Sequence, residues 1–431
     1  MTVRWSTAKA ILAIALTLVP LRPSDAAEPV VTLSLLEQRL PNSLSLQAAQ
    51  QHVEFATQAV SAQIYKSGLQ YFVKDATSFH NDVVTNSLNN TSLSYGQRIG
   101  LQWPLLGTKF DENAAILSTQ TDAVIARITY DDMRRQILSK LRESYVTYWQ
   151  SFGQAANDQN FVGTLVRELP SARALLTTGF WTTANFADFR ASLTEAQTDL
   201  QSNRNSLVAQ LASLRSILNQ PFKPFQPVDP AFSAGCSPTL DVAVRSATSV
   251  DLTIAKLDAQ ILETKTLLRK VSGSSIEANA QASAGAVFNV PPRIGYNIGL
   301  EINATVPTHM RSQEHAHQRQ LEAQLAEITL QEKQARLDVA GTVESALNDF
   351  TNADLVLTQA VQEEKARQED LRTARVRFQT VNAPSASPFN DVQTATIAYF
   401  QGARDTIAAR AKLYLAANHL LLLSPGACGG S

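Results

Sequence analysis

The second half of this chain repeats the plan of its first half. The tripeptide Ile99-Gly100-Leu101 recurs as Ile298-Gly299-Leu300, and Asp188 has a counterpart in Asp391. Around each of these points the sequence has the same order: a moderate helix, two alternating strands, a very long helix, a turn and another long helix. We therefore expect two copies of one unit, which combines membrane-type strands with helices of coiled-coil length.

The first residues have the pattern of a secretory signal peptide, which we place at 1–26. Arg4 and Lys9 supply positive charge, a short apolar stretch follows, and Ser24 and Ala26 give small residues at a cleavage site. Elsewhere the sequence has no apolar run long enough to cross a bilayer as a helix, which takes about 20 residues. The classes that remain are periplasmic proteins, secreted proteins and outer-membrane β proteins.

The charge balance excludes one class of partner. The formal net charge is −1, and loss of three cations and one aspartate with the signal peptide lowers it to −3. A chain with this balance is not expected to bind nucleic acid.

The two cysteines, Cys236 and Cys428, each follow the last helix of their own repeat. They lack the spacing of a metal site. In an exported protein they can form a disulfide or remain as two buried thiols, and the sequence favours neither.

Four segments alternate between apolar and polar residues, as strands with one wet face do. The alternation is clear from Leu93 to Leu105 and from Ile294 to Val306, and weaker from Leu69 to Phe79 and from Ile276 to Phe288. Each segment is long enough for a membrane strand of about 9–11 residues. A soluble sheet would show the same alternation, but two matched hairpins in an exported chain favour an outer-membrane barrel.

The number of strands limits how such a barrel could close. An open sheet edge cannot lie in lipid, and the smallest outer-membrane barrels have about 8 strands. Four strands in one chain cannot close a barrel, so several chains must contribute to it. A dimer would supply eight strands and a trimer twelve, and the count alone does not choose between them.

The remaining sequence predicts long helices in antiparallel pairs. Apolar residues recur at three- and four-residue spacing from about Phe110 to Leu169, which indicates one helix of roughly 90 Å at 1.5 Å per residue. A heptad of leucines follows in the return helix. The second repeat has one helix from about Arg311 to Thr380 and a return helix from about Asn390 to Leu423.

The turn at the far end of each helix pair contains candidate functional residues. The first turn includes Gly179 and Phe180, and Thr183 or Asn185 is expected to cap the return helix. In the second, Ser387 is the expected cap, with Pro388 after it.

Asp188 and Asp391 are expected in the opening turn of the two return helices. Favourable interaction of an acidic residue with a helix start is the simpler explanation of both aspartates. A role at a pore entrance is the alternative.

Other chemistry has little support in the sequence. His309, His315 and His317 cluster with Glu314 at the start of a long helix, but a two-residue separation does not place histidines on one helix face. A solvated helix start explains this cluster better than a metal site. The sequence contains no phosphate loop or nucleophile elbow, so we expect no enzyme activity and no cofactor.

From about Leu44 to Leu423, this chain resembles the TolC-like outer-membrane efflux proteins. Two strand-to-helix passages and two helix-tip passages carry the resemblance through their order, spacing and duplication: 99–117, 298–313, 178–197 and 383–401.

The resemblance implies a mainly α fold with a membrane β-barrel part. Three protomers would each give four strands to one twelve-stranded barrel in the outer membrane of a Gram-negative cell, and their helical hairpins would form a periplasmic tunnel. Repeat one would span 27–218, a linker at the tunnel's equator 219–239, repeat two 240–423 and a C-terminal tail 424–431.

The resemblance also implies partners and site residues. A periplasmic adaptor (a membrane fusion protein) and an inner-membrane transporter would dock at the helix tips, where Gly179, Phe180, Ser387 and Pro388 lie. Asp391, with Asp188, would line the entrance constriction.

This chain departs from the family pattern at the same tip. Thr394 replaces the second acidic residue of the entrance, and Ser387 replaces a basic residue that helps to hold the family's best-known member closed. A doubled acidic ring and the same closed-state latch are therefore not expected here.

Two other classes of protein fit parts of the sequence. A periplasmic adaptor would carry one helical hairpin within a Gly-rich domain, and a structural coiled-coil protein of the cell envelope would lack the matched strands. The duplicated strand pairs favour the channel over both.

Overall fold

The chain folds into long helices that extend from one four-stranded sheet. The computed structural model describes residues 29–81, 91–230, 239–272, 274–290, 293–380 and 386–426. The predicted signal peptide, Cys236 and Cys428 lie outside these residues.

Each half of the chain places two strands after shorter helices and two long helices after the strands. The first half contains β1 (Val30–Val31), α1 (Leu33–Glu37), a 3-10 turn (Leu40–Asn42), α2 (Leu44–Lys66), β2 (Gln70–Asn81), β3 (Thr91–Leu105), α3 (Leu106–Thr177) and α4 (Thr183–Leu218). The second half contains β4 (Gln226–Pro227), α5 (Leu240–Val250), α6 (Leu252–Arg269), β5 (Glu277–Val290), β6 (Arg293–Thr305), α7 (Met310–Thr380) and α8 (Ala386–Leu423).

The helix α3 is longer than the sequence predicted, since it runs for 72 residues and passes through Pro170. A proline inside a helix costs roughly 3 kcal/mol because it lacks an N–H and its ring crowds the preceding turn. Beyond Pro170, Ala172 and Leu175 are buried in an apolar cluster, and their packing offsets that cost. The predicted end at Leu169 is therefore wrong.

All four predicted long strands are present, and they form one antiparallel sheet in the order β2-β3-β5-β6. The central pair joins the two halves of the chain, with Ile99 opposite Ala284. The repeated tripeptides lie in register, because Ile99 and Ile298 both lie opposite Ala284. On its other side, Ile99 pairs with Val73.

The passage from β3 into α3 requires a close backbone approach. Leu106 has a φ of 46°, in the left-handed region, and Gly107 donates its N–H to the carbonyl of Ile276 at 2.7 Å. A Cβ atom on Gly107 would lie 2.4 Å from that carbonyl oxygen. Glycine is needed here because any side chain would push the long helix off the start of β5.

Midway along α3, two tyrosines hold the N-terminal segment and the linker between the halves. Strand β1 pairs in parallel with β4. The hydroxyl of Tyr145 contacts the carbonyls of Val31 and Val228 at 2.9 and 2.8 Å, and Tyr148 donates to Phe225 at 2.9 Å. Burial raises the pKa of Tyr145 to about 12, so its phenol stays neutral.

We predict that Tyr145→Phe destabilises this contact. The change leaves buried backbone groups without their partner, which costs about 1–3 kcal/mol. The apparent melting temperature of the detergent-solubilised protein, followed by circular dichroism, should fall. Tyr65→Phe is the control because Tyr65 is 87% exposed. Equal melting temperatures for the two variants would show that the Tyr145 hydroxyl contributes nothing.

Candidate functional site

One face of the four-stranded sheet is apolar and open to its surroundings. Ile298 and Leu300 are 87% and 90% exposed. The neighbouring large apolar side chains on this face are also exposed: Tyr71, Val73, Ile99, Tyr296 and Ile302. A water-soluble sheet buries such a face, and a patch of this kind marks contact with lipid or with another protein.

Aromatic residues lie towards both ends of the apolar face. Tyr71 and Trp103 are near the helices, and Tyr95, Phe288 and Tyr296 are towards the opposite end of the strands. Trp103 and Tyr95 lie eight residues apart on β3, which is roughly 26 Å at 3.3 Å per residue. Outer-membrane barrels carry aromatic girdles at the two borders of an apolar band of similar height, about 25 Å.

The opposite face of the sheet is polar. Gln70, Gln102, Gln281 and Glu301 are register partners and form one row across all four strands. Because side chains alternate along each strand, this row lies on the face opposite Ile298 and Leu300. The sheet can thus separate an apolar from an aqueous environment.

The sheet also has two open edges. Within the described residues, β2 and β6 are the outer strands, and each has only one neighbour. In lipid, the outward N–H and C=O groups of both strands would need partners from another chain.

At the other end of the molecule, the α3–α4 turn has well-defined geometry. Gly179 has a φ of 76°, which glycine adopts readily. Thr182 is extended, and its hydroxyl accepts a hydrogen bond from the backbone N–H of Asn185 at 3.2 Å. The N-cap is therefore Thr182, and the predicted caps Thr183 and Asn185 are wrong because both residues lie within the helix.

Helix α8, at the second tip, begins earlier in the chain than the sequence predicted. Helix α8 starts at Ala386, which places Ser387 and Pro388 in its first turn and rules out Ser387 as the N-cap. Proline is well tolerated at this point because the first helical N–H groups have no intrahelical acceptor. The preceding turn residues, 381–385, lie outside the described residues.

A buried tryptophan joins the two tips. Trp181 is 3% exposed, whereas its neighbour Phe180 is 52% exposed. The indole N–H of Trp181 donates to Asn390 Oδ1 at 3.0 Å, and its ring packs edge-on against Phe389 at 5.2 Å. Phe189 completes the tip cluster, which also contains Leu165, Ala172, Leu175 and Ala196. The sequence analysis missed Trp181 and Asn390, although a tryptophan within a polar turn was a usable signal.

The two candidate entrance residues flank this tip cluster. Asp188 precedes Phe189 on α4, Asp391 follows Asn390 on α8, and both carboxylates are exposed. Both lie in the second helical turn, so their predicted position in the opening turn is wrong: each helix begins earlier than expected. The helix-dipole explanation loses force with this shift, because the dipole's effect falls off within the first turn.

Polar contacts link the two hairpins further from the tip. Arg404 of α8 pairs with Asp199 of α4, and Asn157 of α3 donates to the carbonyl of Phe400 at 3.1 Å. Beside them, buried Asp158 accepts a hydrogen bond from Asn203 at 2.7 Å, and burial raises the pKa of Asp158. A cavity of about 110 Å³ lies among these groups, and Phe161 and Phe400 pack beside it at 4.9 Å.

The histidine cluster has other contacts in the fold. His317 packs edge-on against Phe110 at 5.6 Å, and Glu314 accepts from Ser275 at 3.3 Å. Among the residues that the structure describes, no three metal-binding side chains are grouped around one point. Nor does any helix in the described ranges have the length and apolarity to cross a membrane.

The architecture is that of the TolC-like outer-membrane channels, as the sequence resemblance implied. The chain is similar to CusC, a protein whose conformational changes accompany folding and transmembrane channel formation (12% identity, 91% of this chain and 92% of that chain, TM-score 0.74). It is also similar to the outer-membrane protein VceC of Vibrio cholerae (11%, 91% and 96%, TM-score 0.70). A third similar structure is the open state of the MtrE outer-membrane channel of Neisseria gonorrhoeae (14%, 92% and 89%, TM-score 0.73).

At these identities the likeness establishes the fold. No protein-family model and no curated protein sequence matches the chain. CusC, OprN and MtrE, which share the fold, are channel proteins.

We predict that Trp181→Ala loosens the tips. Loss of a buried tryptophan costs about 3–5 kcal/mol, and here it also removes the hydrogen bond to Asn390. Amide hydrogen exchange within 175–190 should become at least about tenfold faster, because local opening becomes easier. Phe180→Ala is the matched control, since Phe180 is largely exposed and should leave exchange unchanged. Equal exchange in both variants would contradict the joining role of Trp181.

Proposed function

We propose that this protein is the outer-membrane channel of an efflux or type I secretion system, a passive duct from the periplasm to the exterior. The supporting observation is the four-stranded sheet, with an exposed apolar face, a polar opposite face and two open edges. Such a sheet suits the wall of a water-filled pore in lipid, completed by other copies of the chain. The work is then done by shape and gating, without catalysis.

The same sheet sets a lower limit on the number of subunits. Two chains would supply eight strands, which is about the lower limit for an outer-membrane barrel, and three chains would supply twelve. The TolC-like fold favours three, so the assembly is proposed to be a homotrimer in the outer membrane, with the long helices extending into the periplasm.

The helix tips are proposed to form the gated entrance. In a trimer, three copies each of Asp391 and Asp188 would surround one axis beside the tip cluster. Rings of carboxylates favour cations in channels.

The exposed tip surface is proposed to receive the periplasmic adaptor and, beyond it, the inner-membrane transporter that supplies energy. Phe180 projects from the first turn, and Gly179 gives that turn its shape. Ser387 and Pro388 occupy the first turn of α8 at the second tip. An exposed aromatic at such a turn suits an anchor for a helical partner.

The barrel proposal predicts that a cation is tolerated on the polar face of the sheet but not near the middle of the apolar face. Arginine on the lipid face near the middle of a barrel costs about 2–4 kcal/mol, whereas lumen positions tolerate it. Ile298→Arg should therefore reduce the heat-sensitive trimer in outer-membrane fractions that resist carbonate extraction. Gln281→Arg, on the polar face, should assemble normally. A water-soluble wild-type monomer, or equal assembly of both variants, would refute the proposed channel.

The entrance proposal predicts a change in ion preference. Asp391→Asn would remove three negative charges from the pore axis, so the preference for potassium over chloride should fall in planar bilayers. Asp241→Asn is a suitable control, since Asp241 is exposed on α5, whose Ala243 and Ala247 pack on Val343 near the middle of α7. Unchanged conductance and ion preference for Asp391→Asn would exclude Asp391 from the constriction.

A further inference from the structure

Two cations are paired on the polar face of the sheet. Lys74 on β2 and Arg98 on β3 are register partners, and both are exposed. Gly285 and Asn297 continue the same row on β5 and β6. Like charges directly opposite each other on neighbouring strands destabilise a sheet, so this arrangement is unfavourable unless an anion lies near it.

A glycine makes room for the arginine on this face. A Cβ atom on Gly285 would lie 2.8 Å from Arg98 Cγ and 2.3 Å from the carbonyl oxygen of Gln97. The stem of Arg98 therefore lies over β5 at the one position in the row that lacks a side chain. By its register Arg98 lies on the polar face, opposite the apolar one.

Nearby carboxylates do not neutralise the pair. Asp75 follows Lys74 on the same strand and so lies on the opposite face of the sheet. Glu301 shares the polar face but belongs to the row of Gln102, four residues from Arg98 on β3. That separation is roughly 13 Å at 3.3 Å per residue, longer than the ~10 Å Debye length at 0.1 M salt. In the described part of the chain, neither cation forms an ion pair.

We infer that Lys74 and Arg98 form an anion-selecting band inside the barrel, which attracts phosphate- or carboxylate-bearing solutes. The inference rests on the proposed trimeric channel, in which the band would carry six positive charges. Rings of Arg and Lys select anions in other pores. The pore would then favour cations at its entrance, which is lined by Asp391, and anions at its exit.

The test is ion selectivity in planar bilayers, with potassium and chloride as the probes. The double variant Lys74→Gln with Arg98→Gln should raise the potassium-to-chloride permeability ratio at least about twofold in roughly 0.1 M salt. The effect should shrink in about 1 M salt, where the Debye length is only ~3 Å. Exchanging the pair, Lys74→Arg with Arg98→Lys, should keep the wild-type ratio because the charge is retained.

Asp75→Asn is the matched control, because Asp75 neighbours Lys74 but lies on the other face. It should leave the ratio unchanged, and a change as large as that of the double variant would mean that the pore faces the wrong side of the sheet. Unchanged selectivity in a conducting double variant would overturn the anion band and leave the channel intact. Absence of any wild-type conductance would instead overturn the channel.

If the double variant does not assemble, the single variants decide. Lys74→Gln and Arg98→Gln should each raise the ratio by a part of the full effect. No change in either, with normal conductance, would also overturn the inference.

Discussion

The proposed channel depends on pairing every backbone N–H and C=O group that would lie in lipid. The outer strands β2 and β6 each expose one edge in the described part of the chain. Each unsatisfied group in hydrocarbon costs several kcal/mol, so two strands of this length would cost on the order of tens of kcal/mol. In the proposed barrel, partner strands from other copies of the chain would remove this cost.

The two halves of the protomer are joined in the sheet, midway along α3 and at the tips. Strand β3 pairs with β5 in the sheet, Tyr145 and Tyr148 hold the chain segments midway along α3, and Trp181 bonds Asn390 at the tips. The tyrosine contacts are buried and satisfied, and the sheet pairing is satisfied by backbone hydrogen bonds between two exposed faces. The tip contact is a single hydrogen bond within an aromatic cluster, beside charged links such as Arg404–Asp199.

The sequence was informative where periodicity is long and regular. Alternation over ten or more residues located all four sheet strands, and three-and-four spacing located the long helices. The helix ends were less predictable: packing of Ala172 and Leu175 carries α3 through Pro170, α8 begins already at Ala386, and the N-cap of α4 depends on the extended backbone of Thr182. Contacts such as Trp181–Asn390, and the pairing of Lys74 with Arg98, depend on tertiary register and cannot be read from local patterns.

A cryo-electron microscopy map of the complex extracted from outer membranes would test the proposed channel most directly. We expect one closed barrel of twelve strands, in which β6 of each subunit pairs with β2 of the next and the row of Lys74 and Arg98 faces the lumen. A sheet that remains open, a barrel closed by one chain, or the face of Ile298 and Leu300 turned towards the lumen would contradict it.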